Sequence, residues 1–159
     1  MEHVRIDDVE VPATNSPADV VRPISRALGT TDLAMNYFEL APGESFGYAY
    51  HRHNDQEEVF YLQTGTATFE TESGEIEVDS GEAIRFAPGE FQLGRNQSDE
   101  RVAALALGAP RDTEDIEYLL DCSECGERTV HTSAVAEEGD EIVIHCSECG
   151  TETRQPLTT

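Results

Sequence analysis

The sequence predicts an all-β protein, a sandwich or barrel that carries a small C-terminal appendage. Between residues 32 and 108, short runs of alternating apolar and polar residues are separated by turn residues such as Ser73-Gly74, Ser80-Gly81 and Pro88-Gly89. Turn signals spaced about 8–12 residues apart are typical of all-β sandwiches and barrels. No long helical periodicity competes with this pattern, and all four cysteines follow it.

Residues 1–31 are interpreted as an N-terminal lead-in with little regular structure. Pro12, Pro17 and Pro23 interrupt any long element, because proline lacks a backbone N–H group and fixes its own φ angle. The segment leaves room for a short helix within residues 17–28.

Residues 32–110 hold the predicted strands. The runs, in chain order, are LAMNYFEL, FGYAYHRH, EVFYLQTGTATFETE, GEIEVDSG, AIRFAPG and RVAALALG. Within the third run, Ala67, Phe69 and Thr71 alternate with more polar residues, as expected of a strand with one buried face. The composition then changes, and we interpret residues 111–117 as a linker and residues 118–159 as a separate C-terminal module.

The chain is strongly acidic. It has 33 Asp and Glu residues against 10 basic residues, all of them arginine, and its net charge is −23. At molar salt the Debye length falls to about 3 Å, so the repulsion between surface acids is screened. An acidic surface without lysine resembles that of proteins from haloarchaeal cytoplasm; an acidic mesophilic protein is the alternative. We therefore expect the stability of the fold to depend on salt.

The same composition argues against several classes of partner. Affinity for nucleic acid comes from clustered Lys and Arg side chains that displace counterions from phosphates, and the chain has no basic patch. Anionic membrane surfaces are disfavoured for the same reason. There is no run of 18 apolar residues, and MEHVRIDDVEVPATN lacks the basic start and apolar core of a signal peptide. We expect a cytoplasmic protein whose partner is a small molecule.

A histidine pair provides the first candidate metal site. His51 and His53 are two residues apart, and Glu58 follows five residues later. Two histidines at i and i+2 on a strand point to the same face, so both imidazoles can bind one ion. A carboxylate from the next strand completes a two-histidine, one-carboxylate set that leaves positions open on the metal. Strand parity alone does not choose between Glu57 and Glu58, and a solvated face is the alternative.

The spacing H-x-H-x4-E-x6-G that begins at His51 resembles the first motif of the cupin superfamily. GEAIRFAPGEFQLGRN, which begins at Gly81, resembles the second. The resemblance covers about residues 32–108 and implies a cupin-type double-stranded β-helix, or jelly-roll barrel. It selects Glu58 over Glu57, and it implies a homodimer, because cupins often dimerise through the barrel.

The second motif departs from the family where its histidine is expected, since this chain has Gln92 there. The resemblance therefore assigns His51, His53 and Glu58 as ligands of a barrel metal, with Gln92 in the fourth position. A Gln carbonyl oxygen is a harder and weaker ligand than imidazole, so the alternatives are direct binding, binding through a water, and a role as an ordinary pocket hydrogen-bonding residue. Fe, Mn, Ni and Zn all fit such a set.

Further residues are expected around this site. Phe60 and Leu62 share the parity of Glu58 and should face the interior with it. Arg85 and Arg95 flank the second motif; solvated surface arginines are the simpler interpretation, and contact with an anionic group of a substrate is the alternative.

The second candidate metal site lies in the C-terminal module. Cys122-Ser-Glu-Cys125-Gly and Cys146-Ser-Glu-Cys149-Gly give the pattern C-x2-C-x20-C-x2-C, which predicts a tetrathiolate site. The module resembles a zinc ribbon with a turn at residues 138–140, and metal binding worth about 10–16 kcal/mol would provide its folding energy. We expect structural zinc; a rubredoxin-like iron centre and two disulfides are the alternatives.

Two functions remain open at this point. The first is a metal-dependent oxygenase or isomerase acting on a small molecule. A cupin barrel followed by a CxxC…CxxC site resembles the architecture of bacterial 3-hydroxyanthranilate dioxygenases, although Gln92 replaces a histidine ligand of that family. The second is a non-catalytic binding or sensor protein. In either case we expect the zinc-ribbon-like module to contact another protein or the chain's own barrel.

Overall fold

The computed structural model describes residues 1–12, 16–113, 115–136 and 141–156, and it confirms the prediction of an all-β protein. Its helical elements in these ranges are a 3-10 turn, Ile6–Asp8, and one short helix, α1 Ile24–Leu28. The strands, in chain order, are β1 Val20–Pro23, β2 Ala34–Leu40, β3 His51–His53, β4 Glu57–Thr64, β5 Thr66–Thr71, β6 Gly74–Asp79, β7 Ala83–Phe86, β8 Gln92–Arg95, β9 Val102–Ala109, β10 Ile116–Cys122, β11 Glu127–Val135, β12 Glu141–Cys146 and β13 Glu152–Pro156.

These strands form two antiparallel sheets. The first has the order β1-β2-β9-β4-β7, and the second has the order β13-β12-β11-β10-β3-β8-β5-β6. The main core lies between them, because its buried residues come from both sheets, with Leu40 and Leu62 on one side and Phe69 and Val78 on the other. Among the described residues, no helix is long and apolar enough to cross a bilayer.

Aromatic side chains fill the centre of this core. The rings of Phe60 and Phe69 have centroids 5.1 Å apart, and Phe46 packs at 5.1 Å from Phe60. Gly94 on β8 lies directly beneath them, since a Cβ at this position would be 2.5 Å from the Phe69 ring. As predicted from their parity, Phe60 and Leu62 are buried.

The run FGYAYHRH is predicted as one strand, but only its last three residues, the strand β3, are extended within a ladder. The preceding backbone is held against β8 instead, where the Phe46 amide donates to the Gly94 carbonyl at 3.0 Å. The chain then bends, and Gly47 packs so closely that a Cβ there would lie 3.1 Å from His51 Cε1. This bend separates the segment held against β8 from the strand β3 that carries the histidine pair.

Part of the predicted lead-in joins the first sheet, because β1 pairs with β2 in antiparallel register. The short helix allowed for in this region is α1, which ends at Gly29 in the left-handed conformation at φ 68°. Glycine tolerates that conformation at low cost.

The C-terminal module continues the second sheet of the barrel. β10 pairs with β3 on one side and with β11 on the other, and it begins at Ile116, two residues before the predicted start of the module. A second small core, Tyr50, Phe91 and Leu93 with Leu119 and Val130, packs the module against the barrel. The turn predicted at residues 138–140 lies outside the described residues.

Candidate metal centres

The histidine pair lies on β3, and both rings turn their Nε2 atoms toward one point. The Nδ1 atom of His51 is 2.8 Å from the Ala49 carbonyl oxygen, to which it donates. The Nδ1 atom of His53 is 3.3 Å from Thr113 Oγ1, and the Thr113 hydroxyl donates in turn to Asp55. Each ring therefore carries its proton on Nδ1 and keeps the Nε2 lone pair for a ligand.

Glu58 on β4 completes the cluster that the spacing predicts. One ligand atom from each of His51, His53 and Glu58 lies within 4.8 Å of the other two, and His53 Nε2 is 3.5 Å from Glu58 Oε1. Glu57 points the other way and pairs with Arg85 at 2.7 Å. The structure thus shows that Glu58, and not Glu57, faces the histidine pair, a choice that strand parity alone left open.

Gln92 occupies the fourth corner of the cluster. It is the cross-strand partner of His51, and its side chain is almost fully buried. Its Nε2 atom lies 2.9 Å from Glu58 Oε2 and 3.3 Å from His51 Nε2, so the amide donates toward two acceptors. Its Oε1 atom is buried and has no hydrogen-bond partner within the described residues.

Burial shifts the proton equilibria of all three candidate ligands. It lowers the pKa of His51, and together with the neighbouring His51 ring it lowers the pKa of His53 to about 4. Burial also raises the pKa of Glu58 to about 7, and the Gln92 amide partly opposes this rise. Both imidazoles are therefore neutral near pH 7, which is the form that binds metals.

The donor set fits a divalent cation. Atoms that share one ion at about 2.1 Å are about 3–4 Å apart, the range in which His53 Nε2 and Glu58 Oε1 lie. A cation would satisfy the lone pairs that the three ligands direct at one another. Rotation of the Gln92 amide by half a turn would exchange its oxygen and nitrogen, two atoms that are told apart by their hydrogen bonds. Its Oε1 atom, which has no partner among the described residues, would then lie beside Glu58 and His51, where a metal ligand is needed.

The flanking arginines are surface residues, as the simpler interpretation predicts. Arg85 pairs with Glu57, while Arg95 lies 3.7 Å from Glu70. We call His51, His53, Glu58 and Gln92 the barrel cluster. In the described part of the chain, no arginine side chain forms an ion pair or hydrogen bond with these four residues.

The four cysteines of the module converge in a second cluster. Their sulfur atoms all lie within 4.8 Å of one another, with 3.7 Å between Cys122 and Cys149 and 3.8 Å between Cys125 and Cys146. These separations match the edge of about 3.8 Å expected for four sulfurs placed tetrahedrally at about 2.3 Å from a zinc ion. They are far longer than a disulfide bond, and all four cysteines are free.

The two cysteine turns share one backbone design. The amide of Gly126 donates to the Cys122 carbonyl at 2.9 Å, and that of Gly150 donates to the Cys146 carbonyl at 3.0 Å. Both glycines have positive φ angles, 73° and 74°, which favour glycine over residues with a Cβ.

Hydrogen bonds with threonine hydroxyls favour the thiolate form of Cys146 and Cys149, whereas hydrogen bonds with the neighbouring sulfurs raise the pKa of Cys125. The Thr129 hydroxyl lies 3.2 Å from Cys146 Sγ, and this hydroxyl with nearby backbone N–H groups lowers the pKa of Cys146. The Thr151 hydroxyl lies 3.2 Å from Cys149 Sγ and lowers the pKa of that thiol in the same way. Thiolates are the form that binds zinc or iron.

Comparison with known proteins supports a cupin-type fold for the barrel. Residues 36–108 match the family model described as Cupin domain. The fold of the barrel is therefore of the cupin type, and the matched segment is named the cupin domain after that model. It contains the whole barrel cluster and ends before the cysteine module. No curated protein matches the sequence.

Solved structures agree with the cupin fold. A sugar phosphate isomerase of the cupin superfamily from Silicibacter pomeroyi is 20% identical with a TM-score of 0.66, over 99% of this chain and 97% of that chain. The polyketide cyclase RemF from Streptomyces resistomycificus is 22% identical with a TM-score of 0.63, over 77% and 88%. A predicted oxalate decarboxylase from Thermotoga maritima is 18% identical with a TM-score of 0.58, over 68% and 98%. At such identities the likeness concerns the fold, which hosts many functions.

Three residues around the barrel cluster were not predicted from the sequence. Thr113 and Asp55 fix the orientation of His53, and the ring of Tyr118 lies 6.0 Å from that of His51, centroid to centroid. Thr113 and Tyr118 follow the cupin domain in sequence. No local signal marks them, because their position depends on the pairing of β10 with β3.

Proposed function

We propose that the cupin domain binds one divalent metal through His51, His53 and Glu58, with Gln92 in the fourth position, and acts as a metal-dependent isomerase on a small hydroxycarbonyl compound. The convergence of the three ligand atoms within 4.8 Å carries this proposal. A divalent metal at this point would act as a Lewis acid on a carbonyl or hydroxyl oxygen. The cysteine module, with zinc as its expected ion, completes the fold.

The residues around the cluster support an isomerase through the hydrogen bonds that they can donate to a substrate. The raised pKa of Glu58, about 7, belongs to the metal-free cluster, because a glutamate that binds a metal is deprotonated. The Gln92 amide lies 2.9 Å from Glu58 as a hydrogen-bond donor. A substrate oxygen that approaches Gln92 meets a donor for a developing negative charge. The likeness over nearly the whole chain to a protein described as a sugar phosphate isomerase agrees with this choice.

The charge around the site favours a substrate without a phosphate group. Phosphate is usually bound by Arg, Lys or backbone N–H groups. Among the described residues, the arginines nearest the cluster in sequence pair with acids instead, Arg52 with Glu117 and Arg85 with Glu57. We therefore expect a neutral hydroxycarbonyl compound to be preferred over its phosphate ester.

The test is proton exchange in deuterated water. Protein loaded with Mn²⁺, Fe²⁺, Ni²⁺ or Zn²⁺ is incubated with aldoses, ketoses and their phosphates, and deuterium at the carbon next to the carbonyl is followed by NMR. We expect metal-dependent incorporation that His51→Ala abolishes and that His145→Ala, a change at a partly exposed histidine outside the barrel, retains. Oxygen consumption without exchange would support an oxygenase instead, and it would contradict the isomerase.

One observation favours a second candidate, a non-catalytic binding or sensor protein. Gln92 replaces a strong ligand and already forms hydrogen bonds with Glu58 and His51, so the cluster is satisfied in part without a metal. Binding of a hydroxycarbonyl compound to the metal-loaded protein, with neither exchange nor oxygen uptake for any of the four metals, would favour this candidate.

A further inference from the structure

We propose that β10 couples the two metal centres, so that metal in the cysteine cluster strengthens metal binding at the barrel cluster, and that Tyr118 is the positioning residue in this coupling. The inference rests on the proposed metal site at His51, His53 and Glu58. The C-terminal module would thus affect metal binding by the barrel, although the metal ligands of the barrel precede the module in the chain.

The strand with both histidines depends on β10 for its position. β3 is only three residues long, and each of its residues pairs with a residue of β10. Toward its other neighbour, β8, only His51 has a ladder partner among the described residues, namely Gln92. Without β10, β3 would become a short edge strand held by the His51–Gln92 pair and by the Gly89 amide, which donates to the His53 carbonyl at 2.8 Å. Short edge strands are weakly ordered.

Side chains on both faces of the sheet reinforce this pairing. On the inner face, the Tyr118 ring packs on the His51 ring at 6.0 Å between centroids. On the outer face, Arg52 lies 2.6 Å from Glu117 and stacks 4.6 Å from the centre of the Phe91 ring. The orientation of the His51 imidazole is therefore set partly by a residue of the module.

The same face leads directly to the cysteines. Successive cross-strand partners run from Gln92 to His51, then to Tyr118, His131 and Cys146. Direct partners in an antiparallel sheet lie on one face with Cβ atoms about 4.5–5.5 Å apart. One uninterrupted row of side chains thus joins a candidate ligand of the barrel to a candidate ligand of the cysteine cluster.

The cysteine cluster holds the far end of β10 in place. Cys122 is the last residue of β10, and Cys146 ends β12, so one ion would tie the ends of two strands that flank β11. His131 between them is buried, with its Nδ1 atom 2.8 Å from the Thr129 carbonyl oxygen, while the Thr129 hydroxyl contacts Cys146. A small module of this kind gains much of its folding free energy from its metal.

The two binding events are consequently linked. An ion in the cysteine cluster orders β10, ordered β10 holds β3 and the His51 ring, and the barrel cluster then loses less conformational entropy when it binds a metal. Linkage is reciprocal, so a barrel metal should raise zinc affinity at the cysteines by the same factor.

The test measures Mn²⁺ affinity at the barrel by calorimetry, because Mn²⁺ prefers oxygen and nitrogen over thiolate ligands. Wild-type protein with one equivalent of Zn²⁺ at the cysteines is compared with the Cys122→Ser variant and with wild type stripped of zinc. We expect Mn²⁺ to bind about tenfold more weakly in both zinc-free forms. Equal dissociation constants would overturn the coupling, whereas a wild type that binds no Mn²⁺ would overturn the proposed metal site itself.

A second variant keeps the test valid if Cys122→Ser does not fold. Tyr118→Ala leaves all four cysteines in place and should retain its zinc, yet it should bind Mn²⁺ more weakly than wild type. Tyr61→Ala, at a partly exposed tyrosine on β4, is the matched control and should bind as wild type does. Unchanged Mn²⁺ affinity in Tyr118→Ala would contradict the role of this residue.

Discussion

The amide nitrogen of Gln92 lies 2.9 Å from Glu58 Oε2, where a second-motif imidazole would stand in the cupin family that the sequence resembles. The amide carbonyl of the same residue is buried and, in the described part of the chain, has no partner. Without a metal, the Gln92 side chain therefore stabilises the Glu58 carboxylate through its amide nitrogen. With a metal, its amide oxygen is available as a ligand. This dual capacity distinguishes the site from one built on three imidazoles.

Replacing Gln92 by His should tighten metal binding. The imidazole would restore a nitrogen ligand in place of a weaker amide oxygen, and we expect the dissociation constant for Ni²⁺ or Zn²⁺ at the barrel to fall by at least about tenfold. Calorimetric titration of zinc-preloaded protein measures the change. Gln97→His is the matched control, because Gln97 is exposed and contacts Glu75 rather than the cluster. An unchanged constant in Gln92→His would show that position 92 does not reach the ion.

The metal-free protein should reveal the raised pKa of Glu58 through its stability. The folded state holds the Glu58 proton up to about pH 7, while the unfolded chain releases it near 4.5, so this carboxyl makes the fold less stable as pH rises between those values. The Glu58→Gln variant has no carboxyl at this position, so its stability does not fall for this reason as the pH rises. Its stability relative to wild type should therefore increase from pH 4.5 to 7, by up to about 3 kcal/mol.

Urea denaturation in the presence of a chelator measures that difference. Taking the variant relative to wild type cancels the contributions of the other acids and of His53, whose pKa is lowered to about 4 and whose effect on stability has the opposite sign. Glu57→Gln serves as the control, because Glu57 forms a surface ion pair. A difference between Glu58→Gln and wild type that stays flat over this range would contradict the burial of the Glu58 carboxyl.

Removal of the metal from the cysteine cluster should unfold the module before the barrel. The described residues of the module contribute only Leu119 and Val130 to the small core that joins it to the barrel, so the ion provides much of its stability. Hydrogen exchange should show loss of protection in β11 and β12 after chelation, while β4 and β9 in the barrel stay protected. Protection in β11 that is unchanged by chelation would mean that the module folds without an ion.

Salt should stabilise the fold. With a net charge of −23 and no lysine, the surface repels itself at low ionic strength, and its ion pairs, such as Arg101 with Asp19 at 2.7 Å, are exposed and individually weak. We expect the melting temperature to rise from low to molar KCl. A melting temperature that does not change would contradict the expected dependence of stability on salt.

The local patterns of the sequence predict a large part of this structure. The alternation around Phe69 and the spacing from His51 to Glu58 are local, and the structure places these residues in a barrel core and in one cluster, respectively. The two CxxCG turns are local as well, because each is closed by its own glycine and its own backbone hydrogen bond.

What the sequence does not predict depends on pairing between distant segments. Tyr118 lies beside His51 because β10 adds to β3, 65 residues apart at the Arg52–Glu117 pair, and no local pattern encodes that choice. The four-residue strand β1 is likewise extended only because β2 offers it an edge. The run before His51 has the composition of one strand but bends, because the first part of its backbone is hydrogen-bonded to β8.

Metal stoichiometry tests the central claim most directly. Protein purified at high salt without a histidine tag is analysed for its metal content, beside His51→Ala and the control His145→Ala, whose imidazole lies outside both clusters next to Glu152. We predict two metal equivalents per chain in wild type and in His145→Ala, and one in His51→Ala. One equivalent in wild type, or two in His51→Ala, would contradict a metal centre at His51, His53 and Glu58.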